Sequence, residues 1–377
     1  MNKKMSKGKI FFYASLPHEG QPPYGGGEVG NLRTLKMLRN AGYEVITIRH
    51  RRSDVKWGKL RILLSFPFRL FGGWVESFFK LLFASRNCIV HLSGFAGVTI
   101  LNEYVLMHMM RGLGYQVVYE IRGGGIVDFW DNGSSIYKKM FRYLLNNACC
   151  IFSQGKENFP LFQSISNTEV YHYPNCVESS FAPKNYIDKP KENINLLFYG
   201  RLEEDKHVDL VVDTASLVQK KYPEVKLTIV GNGISDYVKR IKDMMSDKLT
   251  QGTFVYEAAR NHEDLKEILI NSHFYIFPST QPREGQSNSI TECMSYGIIP
   301  IASPQGFNRS TIGNDELIID KMEASLYANR IIEIIEGGRI ENVSRQMYNR
   351  YLENYTEEVV TKQFLKTYCS IIEKIGK

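Results

Sequence analysis

Short apolar runs alternate along the chain with longer segments in which apolar side chains recur at helical spacing. This alternation is typical of βαβ units, in which helices cover a parallel sheet. One helix is expected over Asn31–Ala41, where Leu32, Leu35 and Leu38 repeat at that spacing. In the first half of the chain the strands are expected at Lys9–Ser15, Glu44–Ile48, Cys88–Leu92, Gln116–Glu120 and Cys150–Ser153.

The same alternation of apolar runs and helical segments starts again in the second half. Strands are expected there at Asn195–Tyr199, Lys226–Val230, Thr253–Tyr256, His273–Phe277 and Ile298–Ala302. The helices between them are expected at Val208–Lys221, Ser235–Met245, His262–Asn271 and Ser289–Tyr296. The chain then closes on a helical pattern over Ala324–Ile335 and about Val343–Lys374, interrupted near Gly337–Gly338.

A polar stretch containing Pro174, Pro183 and Pro190 separates the two halves and reads as a linker around residues 180–194. The length of 377 residues suits two domains. We expect an α/β protein with two doubly wound parallel-sheet domains, over residues 1–185 and 186–345, and a terminal helix over 346–377. Such domains bind ligands outside the carboxyl ends of their strands, which suits a nucleotide-bearing ligand.

Composition excludes several classes of protein. An apolar fraction of 43% rules out a disordered chain, and the six cysteines are scattered without a CxxC pair. We therefore expect a reducing compartment and no structural metal. No secretory signal fits the N-terminus, and the longest apolar stretch, Ile62–Phe83, is broken by Pro67 and by charged residues. We expect a soluble or peripheral, cytoplasmic protein.

Charge is distributed unevenly: residues 1–190 hold 24 Lys and Arg against 13 Asp and Glu, whereas residues 191–377 hold 23 against 27. The basic half suggests an anionic partner. A basic cluster directly precedes the aromatic-rich Ile62–Phe83 segment, and this combination suits either a membrane anchor or a core helix with a basic loop before it. No nucleic-acid motif accompanies it. The membrane-contact candidates are Arg51, Arg52, Lys56, Phe66, Phe68 and Trp74.

Candidate chemistry lies at the ends of two predicted strands in the second half. Arg201 and Lys206 follow the strand that ends at Tyr199, and a bidentate guanidinium beside a lysine suits a diphosphate. Glu284 lies in a glycine-containing loop and Glu292 lies one turn into the next helix, so the two carboxylates can reach different ends of one ligand. The N–H groups where that helix begins suit hydroxyl or phosphate oxygens.

Five blocks of the second half form one ordered series: Gly200–Leu202 with Lys206, Ile229–Gly233, Phe277–Ser279, the Glu284/Glu292 pair and Met294–Pro300. Together they resemble the C-terminal domain of retaining glycosyltransferases of family 4, which have the GT-B fold and include bacterial lipopolysaccharide and capsule transferases. In the first half the resemblance rests on Gly25–Gly27, the helix from Asn31, Pro174–Val177 and the terminal helix, which in this fold returns to the N-terminal domain.

The resemblance implies a role for each matching residue. Arg201 and Lys206 would hold the donor diphosphate in place of a metal, so no metal and no cofactor are implied, and Glu284 would bind the donor sugar and Glu292 the ribose. The remaining donor contacts would come from Gly26, Gly27, Gly285, Gln286, Ser287 and Asn288.

Two features depart from the family pattern. His207 stands where the family usually has glycine after the lysine, which bears on the geometry of that turn. The usual histidine after the fourth strand is absent, and Arg122 stands in the matching stretch, where it could stabilise the leaving phosphate or bind an anionic sugar. Asp128 could lie on the acceptor side.

The predicted function is transfer of a hexose from a nucleotide-diphosphate sugar to a glycan hydroxyl, with retention of configuration. The acceptor would be a polyprenyl-diphosphate-linked oligosaccharide on the inner face of the plasma membrane, in surface-polysaccharide synthesis. Two alternatives stay open, a GT-B sugar-nucleotide epimerase and a catalytically silent sugar-nucleotide-binding subunit.

Overall fold

The computed structural model describes residues 8–17, 21, 23, 26–50, 59–86, 88–97, 99–190, 193–260 and 262–375. Internal contacts divide the chain into two compact units. The first comprises Met1–Pro174 with Thr361–Lys377, and the second comprises Asn175–Val360. The first break falls before the 185/186 boundary expected from composition, because Val177 and Phe181 already pack into the core of the second unit.

The first unit has a sheet whose strands all pair in parallel, in the order β2-β1-β3-β4-β5-β6 over the described residues. These strands are β1 Lys9–Ala14, β2 Glu44–Arg49, β3 Ile89–Gly94, β4 Gln116–Ile121, β5 Cys150–Ser153 and β6 Val170–His172. The helices are α1 Gly26–Asn40, α2 Lys59–Leu82, α3 Ile100–Gly112, α4 Ile126–Asp131, α5 Ser135–Asn147 and α6 Phe159–Ile165. Every residue of β3 and β5 is buried, as expected for strands covered on both faces.

The second unit has a parallel sheet of order β11-β10-β7-β8-β9 over its described residues. Its strands are β7 Asn195–Tyr199, β8 Lys226–Val230, β9 Phe254–Glu257, β10 Phe274–Phe277 and β11 Ile299–Ala302. Its helices are α7 Val208–Gln219, α8 Ser235–Lys248, α9 His262–Asn271, α10 Asn288–Ser295, α11 Asn308–Ile312, α12 Ala324–Glu336 and α13 Ile340–Asn354. The last helix, α14 Glu357–Ile375, begins in the second unit and belongs to the first unit from Thr361 onward. The predicted pair of parallel α/β domains is confirmed.

The end of the chain differs from the single long helix expected after Val343. The helical pattern is interrupted at Tyr355 and Thr356, where the Val177 N–H donates to the Tyr355 carbonyl at 2.9 Å. Val177 also forms an isolated parallel bridge with Thr356. Helix periodicity continues across these residues, so the sequence pattern could not reveal a break that a distant residue imposes.

A buried polar network crosses the core of the first unit and includes the last helix. The His91 ring lies 2.5 Å from the Tyr368 hydroxyl of α14 through Nδ1 and 2.7 Å from Glu120 Oε2 through Nε2. The other carboxylate oxygen of Glu120 pairs with the Arg122 guanidinium. Burial tends to raise the pKa of Glu120, but the charge of Arg122 and the hydrogen bond from His91 outweigh burial and hold this pKa below its usual value. His91 is thus a core residue.

Replacing Glu120 by glutamine should lower the free energy of unfolding at pH 7 by about 3 kcal/mol or more, because Arg122 would stay buried without its carboxylate. A lowered folded-state pKa stabilises the fold above the ordinary value of about 4.3, and this stabilisation is lost as pH falls through the folded-state pKa. The gap between wild type and Glu120→Gln should therefore shrink below about pH 4.

Urea denaturation followed by tryptophan fluorescence measures this gap in the first unit, since Trp57, Trp74 and Trp130 all lie within residues 1–174. Glu373→Gln, at an exposed position, is the control and should show no such pH dependence. An equal gap at pH 7 and pH 3 would contradict a contribution from the ionised carboxylate.

Candidate active site

The turn after β7 places Arg201 at the carboxyl edge of the second sheet. It is held by main-chain bonds to the neighbouring loop after β8: the Gly200 N–H donates to the Val230 carbonyl at 3.0 Å, and the Leu202 N–H donates to the Asn232 carbonyl at 2.9 Å. Gly231 has a φ of 157°, and a Cβ there would lie 1.9 Å from the Gly200 carbonyl oxygen. Only glycine therefore lets these two turns lie side by side.

Arg201 itself extends into solvent. Its side chain is 67% exposed, and its guanidinium pairs with Glu203 at 2.8 Å. Water screens such a pair, so its contribution to stability is small and the guanidinium can exchange Glu203 for a ligand anion at little cost. Its predicted role in binding an oxyanion stays a prediction.

Lys206 occupies a very different environment. It lies in a 3₁₀ turn over Glu204–Lys206, and its side chain is only 9% exposed. Its ammonium forms an ion pair with Glu284, whose side chain is 11% exposed. Ser279 Oγ at 3.3 Å and Gln281 Oε1 at 3.4 Å complete its hydrogen bonds. The structure therefore brings together two predicted site residues from turns that follow different strands.

His207 takes the backbone conformation that glycine would adopt at this position. Its φ is 47°, in the left-handed region, and its ring Nε2 lies 2.7 Å from Thr280 Oγ1. The Thr280 N–H also donates to the Asp205 carbonyl at 2.8 Å. Histidine in place of the family's glycine thus keeps the left-handed turn. Its side chain adds a hydrogen bond to the loop that carries Glu284.

The loop from Glu284 to Asn288 is shaped by neighbours on both sides. Gly306, with a φ of 62°, packs against it so closely that a Cβ would lie 2.6 Å from the Glu284 carbonyl oxygen. Gln286 exchanges hydrogen bonds with the main chain of Asn175, accepting from its N–H at 2.6 Å and donating to its carbonyl at 3.1 Å. Asn288 Oδ1 accepts from the Asn175 side chain at 2.9 Å.

These contacts refine what was expected of Gln286 and Asn288. Both side chains fix the loop to the first residue of the second unit, so any ligand contact from this stretch is best made by main-chain N–H groups. Ser287 directly precedes α10, whose first N–H groups have no acceptor within the helix. Gly285 has no side chain in the way of such a contact.

Glu292 lies on α10 and is 9% exposed. The Tyr199 hydroxyl, at the end of β7, donates to its Oε2 at 2.5 Å. Burial and then the nearby charge of Glu292 raise the pKa of Tyr199 well above its ordinary value, so the hydroxyl stays a donor. The hydroxyl of the neighbouring Tyr275 donates to the Tyr199 main-chain carbonyl at 3.1 Å and lies 2.7 Å from Ser289 Oγ, so it does not contact Glu292. Tyr199 thereby fixes the orientation of one oxygen of the predicted ribose-binding carboxylate.

In the first unit, Gly26 and Gly27 open α1, which follows β1. A Cβ on Gly27 would lie 2.8 Å from the Phe95 ring, and Gly26 has open space around it. Asn31 of α1 donates to the Ser15 carbonyl at 2.9 Å and accepts from Ser93 Oγ at 2.7 Å, which fixes the helix start at the carboxyl ends of β1 and β3. Gly25 lies outside the described residues.

Arg122 lies beneath this helix. Its guanidinium donates to Thr34 Oγ1 at 2.8 Å, pairs with Glu120 and lies 5.4 Å from the centre of the Tyr173 ring. With its side chain 4% exposed, it supports α1 from inside the unit, and its predicted contact with a phosphate or anionic sugar stays a prediction. Asp128 is exposed on the short helix α4, and its acceptor-side role also stays a prediction.

Helix α2 exposes a row of apolar side chains. Leu64, Phe68, Phe71 and Phe79 are 64%, 78%, 64% and 56% exposed, and Phe66 is also exposed. Trp74, expected among the membrane contacts, instead lies half-buried on the opposite side of the helix and donates from Nε1 to Asn102 Oδ1 at 2.9 Å. The remaining predicted contacts, Arg51, Arg52 and Lys56, lie outside the described residues.

The described residues contain neither a metal-binding cluster nor a membrane-spanning helix. No group of three or more His, Cys, Asp or Glu side chains there could hold a metal ion. Among the same residues, no helix combines the length and the apolar character that crossing a membrane requires. The predictions that the protein needs no metal and no cofactor stay predictions.

Comparison with known families gives a match in the second unit. A family model described as "Glycosyl transferases group 1" matches residues 183–354, which include Arg201, Lys206, Glu284 and Glu292. This stretch, a little under half of the chain, is similar to group 1 glycosyltransferases. The predicted resemblance to glycosyltransferases of this type is confirmed.

Similar proteins include further glycosyltransferases. The chain is 24% identical over 371 residues to a phosphatidylinositol N-acetylglucosaminyltransferase subunit of Arabidopsis thaliana, a match covering 93% of this chain and 80% of that protein. Sucrose-phosphate synthase from Thermosynechococcus elongatus has a TM-score of 0.71 at 16% identity, over 97% of this chain and 99% of that one. Anabaena HepE, solved in complex with UDP, has a TM-score of 0.69 at 13% identity, over 96% and 100%. These structural matches confirm the GT-B fold.

Three residues of the candidate site are not predicted by the sequence: Tyr199, Ser279 and Asn175. Tyr199 is the last residue of an apolar strand, and Ser279 and Asn175 stand out only as members of blocks that resemble the family. Each acts by holding a predicted residue, Glu292, Glu284 or Gln286. A polar or tyrosine side chain at the carboxyl end of a parallel strand is the signal that could have found Tyr199.

Replacing Tyr199 by phenylalanine should weaken binding of a nucleoside diphosphate several-fold, because Glu292 would lose a charge-assisted hydrogen bond worth about 1.5–3 kcal/mol. It should also reduce the preference for the ribose form over the 2′-deoxyribose form. Calorimetric titration with a nucleoside diphosphate and its 2′-deoxy counterpart measures both effects. Tyr275→Phe removes a neighbouring hydroxyl that does not contact Glu292 and should keep the preference. An unchanged preference in Tyr199→Phe would contradict the positioning role.

Proposed function

We propose that this protein transfers a sugar from a UDP-sugar to a hydroxyl of a lipid-linked glycan acceptor, with retention of anomeric configuration. The observation that carries the proposal is the set of two cations and two carboxylates at the carboxyl edge of the second sheet. Arg201 and Lys206 suit a diphosphate, and Glu284 and Glu292 suit the hydroxyls of the sugar and the ribose. N-acetylglucosamine is the first sugar to test, since the Arabidopsis relative is named for its transfer. UDP is the nucleotide bound in the HepE structure.

In this proposal the chain catalyses by positioning and by charge. As the bond between the sugar and the diphosphate breaks, negative charge develops on the leaving phosphate. Lys206, already desolvated, and Arg201, whose pair with Glu203 is exposed and easily exchanged, would stabilise this charge without a divalent metal. Glu284 and Glu292 would hold the two ends of the donor in register, and the leaving diphosphate would accept the acceptor proton on the same face, which gives retention.

The lipid-linked acceptor is proposed from α2. The row of exposed phenylalanines on this helix would lie at the headgroup boundary of a bilayer, while its opposite face, with Gly73, Ser77 and Leu81, is buried in the unit. Residues 49–86 hold nine Lys and Arg against two Asp and Glu, so their charge complements an anionic lipid surface. The acceptor would be a polyprenyl-diphosphate-linked glycan in surface-polysaccharide synthesis, and the cytoplasmic side stays a prediction.

UDP-sugars should raise the melting temperature of the protein more than GDP- or dTDP-sugars, because a ligand that binds only the folded state stabilises it. Lys206→Ala should cut turnover on the order of 100-fold, by analogy with the loss of one oxyanion donor. Lys248→Ala, an exposed lysine of the same unit paired with Asp213, is the control and should keep turnover. A Lys206→Ala enzyme with wild-type rates on every active donor would refute the diphosphate assignment.

The same assay separates the alternatives. Release of UDP only when a polyprenyl-diphosphate-linked sugar is added supports a transferase, whereas sugar interconversion without acceptor supports an epimerase. Binding without either reaction supports a silent binding subunit. Product NMR reads the anomeric configuration, and a rate abolished by EDTA and restored by Mg²⁺ or Mn²⁺ would overturn the proposed metal independence.

The protein should co-sediment with phosphatidylglycerol vesicles, more weakly as salt rises, because the attraction between basic residues and anionic lipid is screened. Replacing both Phe68 and Phe71 by glutamate should reduce binding at least about 10-fold. Two aromatic rings that would insert into the bilayer are then replaced by charged groups. Arg51, Arg52 and Lys56 replaced together by alanine should reduce it further at low salt.

The control is Ile234→Glu, at a residue of the second unit that is 74% exposed. It should bind vesicles as the wild type does. Equal binding to zwitterionic vesicles, or none to either, would remove the membrane part of the proposal. Self-association in solution that Phe68→Glu with Phe71→Glu abolishes would assign the face to a second copy of the chain instead.

A further inference from the structure

Both cations proposed for the diphosphate carry a carboxylate partner, but the two pairs differ in exposure. Arg201 and Glu203 pair in solvent, where the arginine side chain is 67% exposed. Lys206 and Glu284 pair with side chains 9% and 11% exposed. An exposed pair exchanges partners at little cost, whereas separating a buried pair leaves two poorly solvated charges.

The surroundings of the buried pair provide an acceptor for each donor of Lys206. The Lys206 ammonium has three donors, and the structure gives them Glu284, Ser279 Oγ and Gln281 Oε1. Ser279 Oγ in turn donates to Glu284 Oε2 at 2.9 Å. A phosphate oxygen can therefore reach Lys206 only by taking the place of one of these acceptors, and Glu284 is the one that bears the compensating charge.

The consequence for binding depends on what happens to Glu284 after displacement. A free nucleoside diphosphate supplies a new anion for Lys206 but no hydrogen-bond donor for the displaced carboxylate. An intact nucleotide sugar supplies both, because its sugar hydroxyls can donate to Glu284. Leaving a charged group buried without partners costs more than the hydrogen bonds of a typical pair provide.

We propose that Lys206 and Glu284 form a partner-exchange pair that makes the site bind intact nucleotide sugar in preference to the free nucleoside diphosphate. The inference rests on the proposed function, in which Lys206 meets the diphosphate and Glu284 the sugar. Donor binding replaces one ion pair by two ligand contacts. After transfer, the sugar hydroxyls leave Glu284, which pairs with Lys206 again and favours release of the diphosphate. Glu284 thus sets specificity for the donor over its own product.

The test is calorimetric titration of full-length wild type and Glu284→Gln with UDP and with UDP-N-acetylglucosamine. The wild type should favour the intact donor. In Glu284→Gln no carboxylate competes for Lys206, so UDP should bind about 10-fold tighter than to the wild type, and the preference for the donor should disappear. A fold weakened by the substitution would lower UDP affinity, so tighter binding cannot arise from structural damage. UDP binding to Glu284→Gln that is no tighter than to the wild type would overturn the exchange.

Glu203→Gln is the matched control, because it removes the carboxylate from the exposed pair, and it should change UDP affinity less than about 2-fold. A second measurement needs no variant: UDP titrated into wild type with saturating N-acetylglucosamine should bind several-fold tighter than with the same concentration of glycerol, since the free sugar can satisfy Glu284. No coupling between UDP and the free sugar would also overturn the exchange. If wild type binds neither UDP nor the donor, the proposed function itself fails and the exchange fails with it.

Discussion

Parallel pairing of β7, β8 and β10 brings the turns that follow these strands to one edge of the second sheet, and the site depends on that geometry. Arg201 and Lys206 follow β7, the glycines that support their turn follow β8, and Glu284 follows β10. None of these residues is near another in sequence except Arg201 and Lys206. Had β7 or β10 run the opposite way, its turn would lie at the far edge and the Lys206–Glu284 pair could not form.

The same edge places the two cations in contrasting environments, and in the proposed function this contrast would let one site both capture and release an anion. Arg201 is solvated, so it would exchange Glu203 for a diphosphate at little cost. Lys206 is desolvated, so its charge would act more strongly on a leaving phosphate, but it needs compensation whenever the ligand is absent. Glu284 supplies that compensation. Because Lys206 is desolvated, the fold without a ligand needs the counter-charge of Glu284 beside it.

The sequence predicts those parts of the fold and site that depend on local interactions, and it does not predict contacts between distant residues. Strands such as Asn195–Tyr199 and Lys226–Val230 match the prediction because apolar runs bounded by turns report burial directly. Side-chain pairing across strands has no such signature: nothing in the spacing showed that Glu284 would pair with Lys206, or that Gln286 would bind Asn175. The orientation of α2 was likewise open, because an apolar segment suits a core or a membrane equally until the other elements are placed. Trp74 shows this best, since it faces inward among phenylalanines that face outward.

The first unit contains a buried ion pair with a structural role, Arg122 with Glu120. Arg122 and Glu120 are joined through His91 to Tyr368 of the last helix. Their side chains are only 4% and 2% exposed, so solutes do not reach the pair, and it holds α14 and α1 to the sheet. The Lys206–Glu284 pair lies instead at an edge where the strands end and a ligand can approach. Burial alone therefore does not decide whether an ion pair is structural or functional; what decides is whether one of its partners can be replaced from outside.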